Sequence, residues 1–212
     1  MKKVIVVVFV LFSIISFGQK NKKGDVEFGI NLGYNMSSIG NNANDISEEG
    51  AGINVGLAAD YFFSDRWSIK GKLIYDQKGW DNGFIDISSF DPADPVTRYR
   101  TDFNLYYLTV PVMANWHFGK KRNFYLNFGP HIGFLLSAHE TTFNNDLEDF
   151  FNSTDFGISF GIGVKIPVSD KLKVSFELEE QDGFSYVFKN DLGSKGKNRR
   201  GSINVGVNFI LQ

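Results

Sequence analysis

Residues 107–118 (YLTVPVMANWHF) and 124–138 (FYLNFGPHIGFLLSA) decide the fold class of this 212-residue chain. Apolar side chains at even-numbered positions alternate with polar or small ones in both stretches, and only the short polar segment 119–123 separates them. A period of two residues is that of a β-strand with two different faces, and so short a connection is typical of a hairpin. The two stretches therefore predict a pair of antiparallel strands.

The same alternation recurs in six other runs, at residues 26–35, 53–63, 67–76, 156–166, 172–179 and 203–211. Short turns at residues 64–66, 119–123 and 169–170 alternate with long polar loops near residues 37–50, 81–99, 139–153 and 187–200. Eight strands joined in this way place the short turns at one end and the four long loops at the other. Bacterial outer-membrane barrels have this layout, with short periplasmic turns and longer extracellular loops.

Alternation alone does not say which face points outward, because a soluble lipocalin-like barrel or a sandwich alternates as well. The polar face here is rich in Gly, Asn and Ser, and small residues suit the narrow lumen of an eight-stranded barrel. The apolar face carries no charge in any of the eight runs, and a charge there would cost about 2–4 kcal/mol at the bilayer midplane. Both observations favour a membrane barrel over a soluble one.

Aromatic side chains are placed near both ends of the apolar face. Trp67, Trp116, Phe118 and Phe124 flank short turns, and Tyr34, Tyr75 and Tyr106 lie at the opposite strand ends. Ten residues separate Tyr106 from Trp116, which is about 33 Å along a strand, or roughly 25 Å of membrane height at a tilt near 40°. We therefore predict an all-β, eight-stranded, antiparallel up-and-down transmembrane β-barrel.

The first 18 residues have the pattern of a secretory signal peptide. Lys2 and Lys3 precede an apolar run at residues 4–12, and small residues lead to Gln19. Cleavage after Gly18 would leave residues 19–212 as one barrel domain in the bacterial outer membrane. With no cysteine, the chain has no disulfide and no thiolate metal site. Without Lys2 and Lys3, 20 of the 22 basic side chains remain against 24 acidic ones, which argues against nucleic acid as a partner.

Residues 107–118 and 124–138 resemble two strands of the PorT-like outer-membrane β-barrel family of the Bacteroidota. The shared positions are Leu108, Pro111, Gly129, Pro130, Gly133 and Leu135, whereas Met113 and Asn115 depart from the family pattern. The resemblance implies an outer-membrane barrel, and it links the chain to relatives tied to type IX secretion and protein export. The two prolines also predict a local bulge or a distorted register between their strands, because proline cannot donate to a β-ladder.

The inward face holds charges of both signs, for which we consider two roles: a salt-bridged plug that stiffens the barrel, or a narrow path for ions or protons. The predicted set is Glu27, Asp60, Lys70, Lys72, Lys165, Lys173, Glu177 and Glu179. His117 and His131 are expected to point inward on neighbouring strands, and His139 to lie at the outer rim. A metal site would need a further ligand at a matching height, and the sequence indicates none.

The outer loops segregate charge, with acidic residues in the first three and basic residues in the fourth. The acidic set is Asp45, Glu48, Glu49, Asp81, Asp86, Asp91, Asp94, Asp146, Glu148 and Asp149, and the basic set is Lys189, Lys195, Lys197, Arg199 and Arg200. Ion pairs between the loops, a docking surface for lipopolysaccharide phosphates or a protein, and a divalent cation at Asp146, Glu148 and Asp149 are all compatible with this pattern.

We predict a structural or interaction role for a monomeric barrel, with outer-membrane lipid, lipopolysaccharide and an envelope or secretion protein as partners. No catalytic, cofactor-binding or metal-binding residue is predicted, and no cofactor. Two alternatives remain open. The first is a narrow pore, and the second is an enzyme that modifies lipid A with Ser137, His139 and Glu140, whose spacing fixes no contact between nucleophile and base.

Overall fold

The computed structural model describes residues 21–40, 47–87, 96–189 and 195–211. These residues form eight antiparallel strands that close into one barrel in chain order, and they confirm the predicted fold class. The strands are β1 (Val26–Gly40), β2 (Glu48–Phe62), β3 (Trp67–Ile87), β4 (Thr97–Phe118), β5 (Phe124–Glu140), β6 (Thr154–Pro167), β7 (Leu172–Gly183) and β8 (Lys197–Leu211). The predicted signal peptide, residues 1–18, lies outside the described residues.

Among the described residues, no helix is long and apolar enough to cross a bilayer.

The stagger of the barrel follows from its strand pairing. Residues paired across neighbouring strands, followed once around the wall, lead from β1 back to β1 at a position ten residues further along the chain. The circuit passes through Val26, Tyr61, Ile69, Ala114, Phe128, Phe160, Glu180, Gly201 and Met36. A stagger of this size in an eight-stranded barrel tilts the strands by about 40° and leaves a lumen that side chains fill.

The two faces of the wall are divided as the alternation predicts. Apolar side chains point outward and are about half exposed, whereas the polar side chains of the same strands are buried in the lumen. At the end with the short turns, hereafter the turn end, Trp67 stacks on Trp116 with ring centroids 6.2 Å apart. At the other end, the loop end, Tyr75 stacks on Tyr106 at 5.8 Å. The predicted aromatic side chains therefore mark both edges of the outward apolar belt.

Two strands extend further at the loop end than their sequence runs predict. The described parts of the loop expected over residues 81–99 are almost entirely strand, since β3 continues to Ile87 and β4 begins at Thr97. Cross-strand pairing continues there through Phe84 with Arg100 and through Asp86 with Arg98, whose side chains form a salt bridge of 2.7 Å. The prediction placed the loop too early because polar residues occupy both faces of this extension.

The two prolines do not disturb the strand register. The pairing of β4 with β5 is in the same register on both sides of Pro111 and Pro130, and it shifts instead at the Tyr106–Tyr107 step. The predicted bulge at the prolines is therefore wrong. A Cβ on Gly129 would lie 2.1 Å from the carbonyl oxygen of Val112, so the absence of a side chain there lets the strands pass closely without a change of register.

Small residues on the inward face make room for longer polar side chains. A Cβ on Gly33 would lie 2.0 Å from Oδ1 of Asn204, and one on Gly163 would lie 2.4 Å from the ring of Tyr125. These large side chains thus lie over glycines on the neighbouring strands and fill the lumen, as expected of a barrel this narrow.

Candidate functional site

A network of buried ion pairs crosses the lumen from end to end. In the described part of the chain it contains six basic and six acidic side chains, all 7% exposed or less, so its formal charge is zero. The basic members are Lys70, Lys72, Lys78, Lys165, Lys173 and Arg200, and the acidic members are Glu27, Asp60, Asp76, Asp155, Glu177 and Glu179. Every charge that sequence analysis placed inside the lumen is found there. We call these twelve residues the lumen network.

Glu27 is the centre of the network at the turn end. Lys173 Nζ lies 2.9 Å from Glu27 Oε2, and Lys165 binds the other oxygen of the same carboxylate. Lys165 Nζ also lies 2.9 Å from Asp60 Oδ2, which accepts a second hydrogen bond from the amide of Asn115 at 2.9 Å. Each buried charge here therefore has a partner of opposite sign, the condition under which burial is tolerated.

Glu177 is the centre of the network at mid-height. Its carboxylate binds Lys70 Nζ at 2.7 Å, binds Lys72 as well, and accepts a hydrogen bond of 2.9 Å from the amide of Asn127. The ring of Tyr125 lies beneath Lys70, with Nζ 4.7 Å from the ring centroid, in the geometry of a cation–π contact.

Arg200 and Asp76 extend the network towards the loop end, and neither was included in the predicted lumen set. Arg200 is 1% exposed and lies between two carboxylates, 2.7 Å from Glu179 and 3.1 Å from Asp76. The predicted position of Arg200 in the fourth outer loop is wrong, because β8 begins at Lys197. The strand parity of β8 would have found it, since Ser202 and Asn204 point inward and Arg200 lies on the same face.

Two small cavities lie along this network in the described part of the barrel. One cavity at the turn end, lined by His117 and Lys173, measures about 10 Å³, and one at mid-height, lined by Lys70 and Glu177, measures about 20 Å³. A single water molecule needs roughly 10–15 Å³. Each cavity therefore has room for one water molecule and not for a column of them.

An apolar cluster closes the lumen at the loop end. Trp80 on β3 stacks on Phe103 of β4 with ring centroids 4.4 Å apart, and it meets the rings of Phe151 and Phe188 edge-on at 6.1 and 5.8 Å. Buried members are Trp80, Phe103, Leu105, Tyr107, Ala138, Phe151 and Val187. We call this cluster the aromatic cap. The sequence pattern did not predict it, because the clear alternation on β3 ends at Asp76.

The third and fourth outer loops are joined over the aromatic cap. The amide side chain of Asn152 donates hydrogen bonds of 2.9 Å to the backbone carbonyls of Tyr186 and Phe188, and its backbone N–H donates to Val187 at 2.8 Å. Phe151 and Phe188 also form a β-bridge. These bonds hold the apolar side chains of the two loops against the mouth of the barrel.

The histidines are placed as predicted but are not brought together. His117 Nε2 lies 3.2 Å from the hydroxyl of Ser68, and His131 Nδ1 lies 3.0 Å from the hydroxyl of Ser159, both in the buried lumen. His139 is half-buried near the outer rim. No group of three His, Cys, Asp or Glu side chains able to hold a metal ion occurs among the described residues.

The described contacts do not assemble Ser137, His139 and Glu140 into a catalytic triad. The His139 ring stacks on Tyr106 at 5.5 Å, and the Glu140 carboxylate accepts a hydrogen bond from Thr101 at 2.9 Å. Glu140 also accepts bonds from three backbone N–H groups of the loop that follows it, at residues 142, 143 and 145. This carboxylate organises the loop and does not orient the imidazole.

One acidic side chain of the third loop has a structural role as well. Asp146 accepts a hydrogen bond of 2.9 Å from the backbone N–H of Glu148, at the start of the 3-10 turn Glu148–Phe150. The predicted alternative of a divalent cation at Asp146, Glu148 and Asp149 therefore finds no cluster of three ligands within this described loop.

We expect the order of this loop to depend on pH through Glu140, which lies above the apolar belt. Burial raises the pKa of its carboxyl, but the N–H groups of Asn145 and Phe143 and the hydroxyl of Thr101 outweigh burial, so the pKa lies below its usual value. A depressed pKa means that the stabilisation is complete above the unfolded-state value of about 4.3 and is lost as pH falls below it.

The measurement is a pH titration of the backbone amides at residues 142, 143 and 145 by NMR. We expect these amides to lose order in wild type only below pH about 4. Glu140→Gln should make them less ordered at neutral pH. Glu148→Gln, at an exposed position, should leave their order unchanged. Amides equally ordered in wild type and Glu140→Gln at neutral pH would show that the carboxylate does not organise the loop.

The chain matches a model of a known protein family over residues 17–189, and that family is described as the outer membrane protein beta-barrel domain. No curated protein matches the chain in sequence.

Solved structures of small outer-membrane barrels share the fold. Neisserial surface protein A is 16% identical, with a TM-score of 0.51, covering 86% of this chain and 96% of its own. OprG from Pseudomonas aeruginosa is 12% identical, with a TM-score of 0.51, covering 91% of this chain and 98% of its own. Ail from Yersinia pestis is 16% identical, with a TM-score of 0.46, covering 89% and 99%. At these identities the first two likenesses concern the fold alone.

Proposed function

The chain belongs to the outer membrane protein beta-barrel domain family, and from this premise we propose that it is a plugged, non-conducting barrel that acts through its outer loops. The observation that carries the proposal is the lumen network, whose twelve buried side chains of balanced charge fill the lumen around two described cavities of about 10 and 20 Å³. A salt-bridged plug is thereby favoured over the narrow pore. With the lumen filled, the surfaces left for contact with other molecules are the outer loops and the outward wall.

We place the chain in the PorT-like branch of the family in the Bacteroidota, with a role in protein export or envelope assembly and with export directed by residues 1–18. Its partners are outer-membrane lipid, lipopolysaccharide and an envelope or secretion protein. The closed ring of strands supports a monomer, because it leaves no unpaired strand edge in the membrane. A non-catalytic role is supported by the use of Glu140 in loop hydrogen bonds.

Single-channel recording of the refolded barrel in a planar bilayer tests the proposal. We expect no steady conductance from wild type, with folding of the same preparation verified by heat-dependent gel mobility. A steady conductance that shifts when Lys70 and Lys173 are neutralised would establish the pore and overturn the proposal, because both side chains lie in the lumen network.

A further inference from the structure

The outward wall of the barrel has a concavity near the loop end, where β7, β8 and β1 meet. Its volume is about 510 Å³, within the range of about 300–1,000 Å³ that is usual for ligand sites. Gly201 lines it, and no atom lies within 4 Å of the position that a Cβ on Gly201 would occupy. The missing side chain leaves a gap in a wall that is otherwise covered by large side chains.

The floor of the concavity is apolar and belongs to the outward belt. Tyr34 and Ile203 are paired across β1 and β8, and Met36 is paired with Gly201 one row nearer the loop end. Tyr34, Ile203 and Met36 are all about half exposed on the face that meets lipid. An acyl chain lying along the wall would contact these three side chains.

The rim of the concavity carries charges of both signs. Glu180, paired with Gly201 on β8, points outward, and it has no salt bridge among the described residues. Glu49 lines the same concavity from β2. Arg199 Nε lies 3.7 Å from Asp182 Oδ1, and both of these side chains are about half exposed. Arg200 also lines the concavity but is 1% exposed and belongs to the lumen network. The outward charges of the rim are therefore the carboxylates of Glu180 and Glu49, which attract a cationic group, and the guanidinium of Arg199, which is suited to a phosphate.

We propose that this concavity binds phosphatidylethanolamine, a phospholipid whose headgroup joins a primary ammonium to a phosphate. The acyl chain lies on Tyr34 and Ile203, the ammonium faces Glu180 and Glu49, and the phosphate faces Arg199. A primary ammonium has three N–H donors for these carboxylates, whereas the quaternary ammonium of phosphatidylcholine has none. The inference rests on the proposed membrane-embedded role, because the apolar floor and the charged rim match the boundary between acyl chains and headgroups.

The chain offers a matched pair of glycines for testing the concavity. Gly201→Leu fills it, whereas Gly71→Leu adds the same side chain to the outward face of β3, where again nothing lies within 4 Å of the new Cβ. Native mass spectrometry of each refolded variant, titrated in micelles with phosphatidylethanolamine or phosphatidylcholine, measures the affinity for each lipid. Glu180→Gln tests the ammonium contact without changing the shape of the wall.

We expect wild type and Gly71→Leu to bind phosphatidylethanolamine about five- to tenfold more tightly than phosphatidylcholine, the ratio expected from one or two net hydrogen bonds. Gly201→Leu should lose this binding, and Glu180→Gln should bring the ratio close to one. Equal binding of the two lipids by wild type, or undiminished binding in Gly201→Leu, would overturn the inference. Binding of lipid A that is tighter than binding of phosphatidylethanolamine, and that persists in Glu180→Gln, would also overturn the inference. It would show that the concavity recognises phosphate alone.

The conductance measurement and the lipid titration test the proposed function and the lipid site independently of each other. A silent barrel without lipid preference would overturn this inference and leave the plugged barrel standing. A conducting barrel that keeps its preference for phosphatidylethanolamine would overturn the proposed function and leave the lipid site standing.

Discussion

Glu177→Gln is expected to lower the free energy of unfolding by about 3–5 kcal/mol, the usual result of removing one partner from a buried ion pair. Glu177 is the acidic partner of Lys70, and Lys70 has no other salt bridge among the described residues. The substitution leaves the shape of the side chain almost unchanged, so the loss reports an uncompensated buried ammonium. Urea unfolding of the refolded barrel in lipid vesicles, followed by tryptophan fluorescence, measures it.

Two further variants test whether the loss of stability in Glu177→Gln comes from the buried, unpaired charge. Glu148→Gln makes the same chemical change at an exposed position in the third loop and is expected to change stability by less than about 0.5 kcal/mol. Lys70→Met in the Glu177→Gln background removes the orphaned charge and should recover a large part of the loss, because apolar replacements of buried pairs are often neutral. A Glu177→Gln variant as stable as Glu148→Gln would mean that water reaches the lumen network.

Trp80→Ala is expected to lower the free energy of unfolding by about 3–5 kcal/mol, as truncation of a buried tryptophan does elsewhere. Trp80 is 5% exposed and contacts three other rings of the aromatic cap. Its loss also removes the surface on which the third and fourth loops rest. Hydrogen exchange at residues 147–153 and 184–189 should therefore become faster in the variant, while the strands near the turn end stay protected.

Phe84→Ala is the control for the aromatic cap, because Phe84 lies four residues further along the same strand and is 54% exposed. We expect it to change stability by less than about 1 kcal/mol, since its contacts are surface cation–π contacts with Arg98 and Arg100. If Trp80→Ala is no more destabilising than Phe84→Ala, the cap does not hold the loops in place.

The division of residues between the two faces of the wall could be predicted from the sequence, because strand geometry alone determines it. Lys72 and Glu177 point inward and Leu73 and Phe176 outward, as their parity requires. The partners across the lumen could not be predicted in this way. Lys70 on β3 meets Glu177 on β7, 107 positions away, and only the stagger of the closed barrel brings them to one height.

The candidate site was predicted in part, and its missing members were missed for different reasons. Arg200 and Trp80 both lie where a strand continues beyond the point at which its alternation becomes hard to follow. Phe151 and Phe188 could not be found by periodicity at all, because they lie in loops and are buried only through contact between two loops. A pattern within one strand carries no information on such contacts.

The pairing of β1 with β8 has a consequence for how the chain reaches its native state. This seam joins residue 26 to residue 211, which are 185 positions apart, and no local hairpin can form it. Contacts between such distant positions form slowly, because the entropy of closing a long loop is lost before they are made. Until the last strand arrives, β1 exposes an unpaired edge of fifteen residues, the kind of edge through which chains aggregate. The pairing of β8 with β1 is slow, and the edge of β1 stays exposed until it is complete. Misassembly therefore competes with folding most directly at this step.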